Sequence, residues 1–425
     1  MLTSRLHSIP RFALPYSKSL FATGFSALFG AVPPPDTFDF LGESPKFWTS
    51  SGRQALRLLL TALDLEPGSG VALPLFTDPS LVSAVAAAGH RPVFIDVHPQ
   101  SLTMDPKSLR ASVGQFSAVV IVHLFGHLAD IPPLLAAAGN VPVIEDTAHA
   151  PLSFLNGRMA GEFGVASFYS FASTKYWPAG GGGLVTVHES ELARRMARAV
   201  AALQPPSLGR EVPSLFMQAA KAIVFRPRWY GIFGRPMRRW AEDWALLEPR
   251  LDRSAIQRPH AAVARRQAEL ITLRVEQQRA NSRRLLTLLE AVDDVVLPRE
   301  RLGARYNYHL FPVLLRDPAE REAIAEAMWR EYVDTSTIYS GAIEASRRLG
   351  YRGGCPVAES VAGRLLTLPN YATMTSDEIE VVAQLFVASL KAWRSKRPSY
   401  PFVNTMTRSK GKREALASPA APPMS

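Results

Sequence analysis

Asp146 closes an apolar run that begins at Val143, and His149 follows it by three positions. A second strand-like run, Ala166 to Phe171, carries Ser170 and then delivers Lys175 in a short polar segment. Gly180 to Gly183 separate that lysine from a third apolar run, Leu184 to Val187. The lysine's cover in the sequence is aromatic: Tyr169, Phe171, Tyr176 and Trp177. An amine partly withdrawn from water has a lowered pKa and can attack an aldehyde to form a Schiff base. A carboxylate facing a pyridine nitrogen keeps that nitrogen protonated, so the ring can hold the electrons of a carbanion. A hydroxyl beside the lysine can donate to a phosphate. Each residue has a plainer reading as a buried strand-end aspartate, a surface lysine or a flexible glycine loop. In this order and at this spacing, they point together to pyridoxal phosphate catalysis.

Such parts need a frame. Val71–Phe76, Arg91–Val97, Ala118–Phe125 and Pro142–Glu145 read as strands, with helices expected at Pro79–Ala88, Lys107–Val113 and Ile131–Ala138. Strands without polar alternation, separated by helices, imply a mostly parallel sheet covered on both faces. Ligands of such sheets sit at the carboxyl ends of the strands, where Thr77, Gly126 and Asp146 fall. Ahead of this block, Gly52–Leu65 places Ala55, Leu56, Leu59, Leu60 and Leu63 on one helical face, with Ser50 and Ser51 as capping candidates. The free N–H groups of that helix start, at Arg53 and Gln54, make a natural phosphate site.

These elements resemble the DegT/StrS family of sugar aminotransferases, which are fold-type I pyridoxal phosphate enzymes. The family's E-D-x-A-[QH]-A element reads Glu145-Asp146-Thr147-Ala148-His149-Ala150 here. Its S-F-x-x-x-K element reads Ser170-Phe171 through Lys175, and its glycine pair is Gly182-Gly183. P-x-x-T falls at Pro74–Thr77, H-L-F-G at His123–Gly126, P-x-A-E at Pro356–Glu359 and L-x-L-P at Leu366–Pro369. The resemblance implies Lys175 for the Schiff base, Asp146 for the pyridine nitrogen, His149 near the ring hydroxyl and Ser170 on the phosphate. It implies a homodimer with the active site at the interface. The implied reaction moves an amino group from an amino acid, glutamate for preference, to a keto group of a nucleotide-linked sugar, in glycan or secondary-metabolite synthesis. Three positions depart from the family pattern. Arg53 replaces the threonine of S-G-T-x-A-L, Asp78 stands where some members carry an aromatic ring, and Arg253–Ala255 lacks the Asn-x-Arg that reaches a neighbouring subunit.

The implied fold is a large α/β domain with a mainly parallel sheet and helices on both faces, plus a smaller C-terminal α+β domain. The expected division is an N-terminal arm at 1–45 and a cofactor-binding domain at 46–250 with an insert near 204–250. A small domain with its connecting helix follows at 251–394, and a disordered basic tail at 395–425. The helix from Ala261 to Leu289 is expected to be continuous, and Tyr306–Leu315 to be one strand.

Composition narrows the setting. Of 425 residues, 47% are apolar and only one is cysteine, Cys355, which excludes an intrachain disulfide framework and fits a cytoplasmic protein. The net charge of +11 is compatible with anionic ligands, but no zinc-finger spacing or RNA-binding aromatic signature accompanies it, so nucleic acid is not expected as a partner. His123 and His127 stand four apart on a strand-like segment, where they do not converge on a metal, and no metal is expected. Within the insert, Leu215–Phe225 is apolar and leads into aromatics interleaved with arginines. That pattern suits weak contact with an anionic membrane surface; the favoured expectation is packing on the protein itself or on a dimer mate. The rival functions are a regulatory protein that kept the fold and a different reaction on a sugar, such as dehydration. The lysine retained at 175 argues against dehydration.

Overall fold

The computed structural model describes residues 3, 4, 7–35, 38–238 and 253–396; most of the expected basic tail and the second part of the insert lie outside the described residues. Seven strands form the main sheet: β1 (Lys46–Thr49), β2 (Gly70–Pro74), β3 (Arg91–Ile95), β4 (Ala118–Val122), β5 (Val143–Asp146), β6 (Ala166–Ser170) and β7 (Gly183–Val187). Their order is β1-β7-β6-β5-β4-β2-β3. Strands β3, β2, β4, β5 and β6 run parallel. Strand β7 turns back antiparallel to β6, and β1 is antiparallel to β7. Every residue of β2, β4 and β7 is buried, as a sheet covered on both faces requires.

Helices α1 (Lys18–Ala27), α2 (Gly52–Ala62), α3 (Pro79–Ala87), α4 (Pro106–Ala111), α5 (Ile131–Ala138) and α6 (Ser190–Ala201) surround this sheet. Their starts follow from local chemistry. Ser51, Asp78 and Asp105 cap α2, α3 and α4 through their side chains, and proline opens α3, α4 and α5. One sheet face buries Leu56, Leu59 and Leu60 of α2 against Val71, Val120 and Val185. The other buries Ala72, Val119 and Ile121 against Leu134 of α5.

Beyond α6 come α7 (Leu208–Val224), a helical turn at Pro227–Trp229 and a wider one at Tyr230–Gly234. The expected continuous basic helix is two helices, α8 (Arg258–Ala268) and α9 (Ile271–Leu289). The break at Glu269-Leu270 leaves Leu270 in solvent and turns Ile271 into the core. A second core collects Leu285 and Leu289 of α9 with Val313, Ile324, Val382 and Phe386. It is built on the antiparallel pair β8 (Phe311–Leu314) and β9 (Leu365–Leu368), flanked by α10 (Pro318–Arg330) and α11 (Ser376–Arg394). Ile9 of the N-terminal arm belongs to this core, its backbone bonded to Tyr332 and Asp334. The expected strand 306–315 is reduced to β8, because Tyr308 has a left-handed backbone (φ 52°) and breaks the pleat.

Candidate active site

Asp146 and Ser170 are the last residues of parallel neighbours β5 and β6, so the sheet itself delivers both to one rim. Lys175 lies on the loop after β6, and its Nζ is 2.8 Å from His149 Nε2. The other nitrogen of that ring, Nδ1, accepts the Phe125 backbone N–H at 3.3 Å. Burial first, then the neighbouring Lys175 and His309, holds the His149 pKa well below the ordinary imidazole value, so the ring is neutral. Burial pushes the Asp146 carboxyl up to about 6; its bond from the Ala148 N–H and the nearby Lys175 charge pull the other way, and Asp78 adds to the rise.

The second layer explains how these groups stay in place. Glu145, next to Asp146, accepts from His123 Nε2 at 2.9 Å and from the amides of Gly161, Phe163 and Gly164 at 2.8, 2.6 and 2.7 Å. Burial alone would raise this carboxyl, but those bonds hold it below its usual value. His123 is therefore a brace for the end of β5, and its Nδ1 accepts the Ala129 N–H. Phe125 takes a left-handed backbone, φ 62°, which aims its N–H at His149. Gly126 follows with φ 88°, and a Cβ there would lie 1.9 Å from Asn307 Oδ1. The H-L-F-G element thus positions His149.

The expected aromatic cover of Lys175 serves another purpose. Trp177 donates to the Ala264 carbonyl and packs edge-on against Phe38 and Phe171, anchoring the loop in a core. Nor is the glycine run a flexible spacer. Gly182 has φ 95° and a Cβ there would stand 2.7 Å from Ile256, so the turn before β7 can approach the segment that leads into α8 only without a side chain.

At the start of α2, Ser51 Oγ accepts the Gln54 N–H at 3.2 Å, while Gln54 Oε1 takes the Ser50 N–H and its Nε2 donates to the Ser254 carbonyl. That clamp engages the Gln54 amide and leaves the Gly52 and Arg53 amides, the first of the helix, facing out along its axis. Ser170 adjoins them: a Cβ on Gly52 would lie 3.2 Å from its Cβ. The 253–255 segment, which lacks the family's Asn-x-Arg, contacts Gln54 of the same chain through the Ser254 carbonyl.

Two residues reach the site that the sequence reading did not assign to it. The His309 ring lies 4.6 Å from that of His149, and the Tyr339 ring lies nearly parallel to it (9°) at 6.4 Å, with its hydroxyl 3.4 Å from His149 Nε2. Tyr339 also meets Phe76 edge-on and has φ 61°, a strained conformation for a tyrosine. Asp78 presents no ring; it caps α3 by accepting the Ser80 N–H. Thr77 Oγ1 is buried at the same rim with no protein partner. An amine, a buried carboxylate, a neutral imidazole, an orphan hydroxyl and a helix start with a serine beside it fit a ligand that carries an aldehyde, a basic ring nitrogen and a phosphate.

Comparison with known proteins gives the family. Residues 37–386 match the model of the DegT/DnrJ/EryC1/StrS aminotransferase family, and the chain belongs to that family. Its enzymes depend on pyridoxal 5′-phosphate. The chain is 28% identical over 348 residues to a pleiotropic regulatory protein of Geobacillus stearothermophilus, spanning 79% of this chain and 82% of that one. It is 28% identical over 365 residues to a dTDP-4-dehydro-2,3,6-trideoxy-D-glucose 4-aminotransferase of Saccharopolyspora spinosa, spanning 84% and 88%. The crystal structure of the aminotransferase TlmJ from Streptoalloteichus hindustanus superposes with a TM-score of 0.72 at 23% identity, over 91% of this chain and 99% of that one.

Proposed function

We propose that this aminotransferase moves an amino group from an amino acid such as glutamate to a keto group of a nucleotide-linked sugar. The observation that carries the reading is the Lys175 amine held 2.8 Å from a neutral His149 at the rim that also receives Asp146. Pyridoxal 5′-phosphate, when bound, supplies the electron-accepting ring on which an amino group leaves one carbon and arrives at another. Lys175 would hold that group, and its Nζ would be the base that carries the proton removed from the donor carbon. Asp146 would supply the negative charge that a protonated ring nitrogen needs. The Gly52 and Arg53 amides, with the Ser170 hydroxyl, would hold the phosphate. His149 fixes the amine's position through its Nε2, and Phe125 and Asn307 fix His149, the latter by donating to its backbone carbonyl.

The substrate class is supported by relatives whose names specify sugar nucleotides, among them the Saccharopolyspora enzyme. The regulatory name belongs to the Geobacillus relative; the intact Lys175, Asp146 and His149 favour turnover here. We further place the enzyme in the cytoplasm as a homodimer, in line with the family resemblance and the single, buried Cys355. Among the described residues, no helix is long and apolar enough to cross a membrane. The test is the absorption spectrum of the purified protein with cofactor, followed by addition of glutamate and then a keto sugar nucleotide. A cofactor band that glutamate converts, and that the sugar restores with formation of an amino sugar, is expected. A bound cofactor that no amino donor alters would sink the transaminase reading.

A further inference from the structure

Helix α7 shows more apolar surface than it buries. A helix on a protein surface ordinarily buries its apolar side and shows water its polar one. Here the side facing the protein buries Leu215 and Ala222 but is otherwise polar: Glu211 pairs with Arg258, Ser214 bonds His260, and Gln218 accepts from Ser173 and donates to the Gly180 carbonyl. The exposed side carries Leu208, Val212, Phe216, Met217 and Ile223, each between 36% and 54% accessible. The apolar surface does not stop at the helix. Phe216 meets Phe21 of α1, whose ring leads on to Phe25 and to Phe29, itself 77% exposed. Past α7, Trp229 and Phe233 lie ring to ring at 5.9 Å, both exposed.

Charge decides what covers this face. Residues 1–35 and 212–241, which supply most of it, contain no aspartate or glutamate. The same stretches carry Lys18, Arg226 and Arg228, all exposed. A second copy docked on this face through a two-fold axis would bring cations to cations with no carboxylate from these segments to meet them. A bilayer with anionic headgroups supplies both missing partners, phosphates for the basic rim and an apolar boundary for the aromatic rings. We propose that α1, α7 and the Trp229–Phe233 turn form a shallow docking surface for an anionic lipid membrane. The contact is interfacial, and it stands whatever reaction the site catalyses.

The test uses the full-length, cofactor-loaded protein and vesicles of phosphatidylcholine alone or mixed with phosphatidylglycerol. Cosedimentation with the phosphatidylglycerol vesicles should exceed that with phosphatidylcholine at least tenfold at low salt, and should fall as salt is raised. Arg226→Gln and Arg228→Gln should each weaken it roughly fivefold, the loss expected for one basic residue near such a surface. Phe216→Ser with Trp229→Ser should abolish it. Both side chains are exposed, so melting temperature and lipid-free sedimentation velocity should stay at wild-type values. Equal binding to both vesicles, binding indifferent to salt, or no binding by the wild type overturns the proposal. So does a drop in solution mass in the Phe216→Ser, Trp229→Ser variant, since that assigns the face to a second copy of the chain.

Discussion

Replacing Asp146 by asparagine should stabilise the cofactor-free protein while crippling the enzyme. The side chain is buried at the end of β5, and its carboxyl is raised from 3.8 to about 6, chiefly by loss of water. A shift of about 2 units corresponds to roughly 3 kcal/mol of native-state destabilisation once the group is ionised. Asparagine keeps the bond from the Ala148 N–H without bringing a charge. The sign follows from proton binding. The native state holds this proton more tightly than the unfolded chain, so the penalty is absent below about pH 4, grows up to about pH 6 and is constant above. With an unfolding entropy near 2.1 cal/mol/K per residue, about 3 kcal/mol becomes a melting shift of roughly 3 to 4 °C for a chain this long. Cofactor-free wild type and Asp146→Asn should be melted in parallel from pH 4.5 to 8. The variant should melt higher at pH 8, with the gap closing toward pH 4.5. Added cofactor should raise the wild type more than the variant, because only the wild type offers the ring nitrogen an anion. A gap independent of pH, or a variant that melts below the wild type at pH 8, refutes the assignment of a strained, buried charge.

Other expectations are more direct. Lys175→Ala should prevent borohydride from fixing the cofactor to the protein, and peptide mapping that finds it fixed to another lysine would move the site. Glu145→Gln removes a carboxylate that joins one imidazole and three amides; it should lower denaturant stability by about 3 kcal/mol at an unchanged slope, and a loss under 1 kcal/mol would contradict its bracing role. Tyr339→Phe should leave cofactor binding intact and lower kcat about tenfold, measured with saturating donor; wild-type kcat would show that its hydroxyl does not act on His149. Gly126→Ala should fail to fold stably, since both its φ and the contact with Asn307 oppose a side chain, and a normally melting variant would refute that packing.

The central sheet was legible in the sequence because strands buried on both faces are written as uninterrupted apolar runs, and those runs name the rim that holds Asp146 and Lys175. His149 was legible for the same reason, three residues past a strand end. Tyr339 was not. It stands 190 positions from His149, on irregular backbone with positive φ, and no periodicity marks such a residue. His309 was hidden inside a run that reads as strand, since the bend at Tyr308 depends on the Asn307 side chain bonding the carbonyls of His149 and Pro151. The insert was read as packing on its own protein or on a dimer mate, and α7 does pack on the protein, burying Leu215 and Ala222 together with Glu211 and Gln218. Glu211 and Gln218 find their partners in Arg258 and Gly180, and no local pattern announces such distant pairings.

The backbone bonds of Ile9 bear on the order in which the chain is made. Ile9 donates to the Tyr332 carbonyl and accepts from the Asp334 amide, both at 2.9 Å. Those partners leave the ribosome more than three hundred residues after Ile9 does, which at about 5 to 20 residues per second is roughly 15 to 60 s later. Through that interval Ile9 has neither of these bonds, while the main sheet, complete by Val187, can already close. Nascent chains stalled before residue 330 should therefore show protease-resistant sheet and a cleavable amino terminus, and stalling well past the end of α11 should protect both. Deleting residues 1–12 should likewise lower hydrogen-exchange protection in β8 and β9 before it affects β4 or β5, since Ile9 is fastened by residues made more than three hundred positions later.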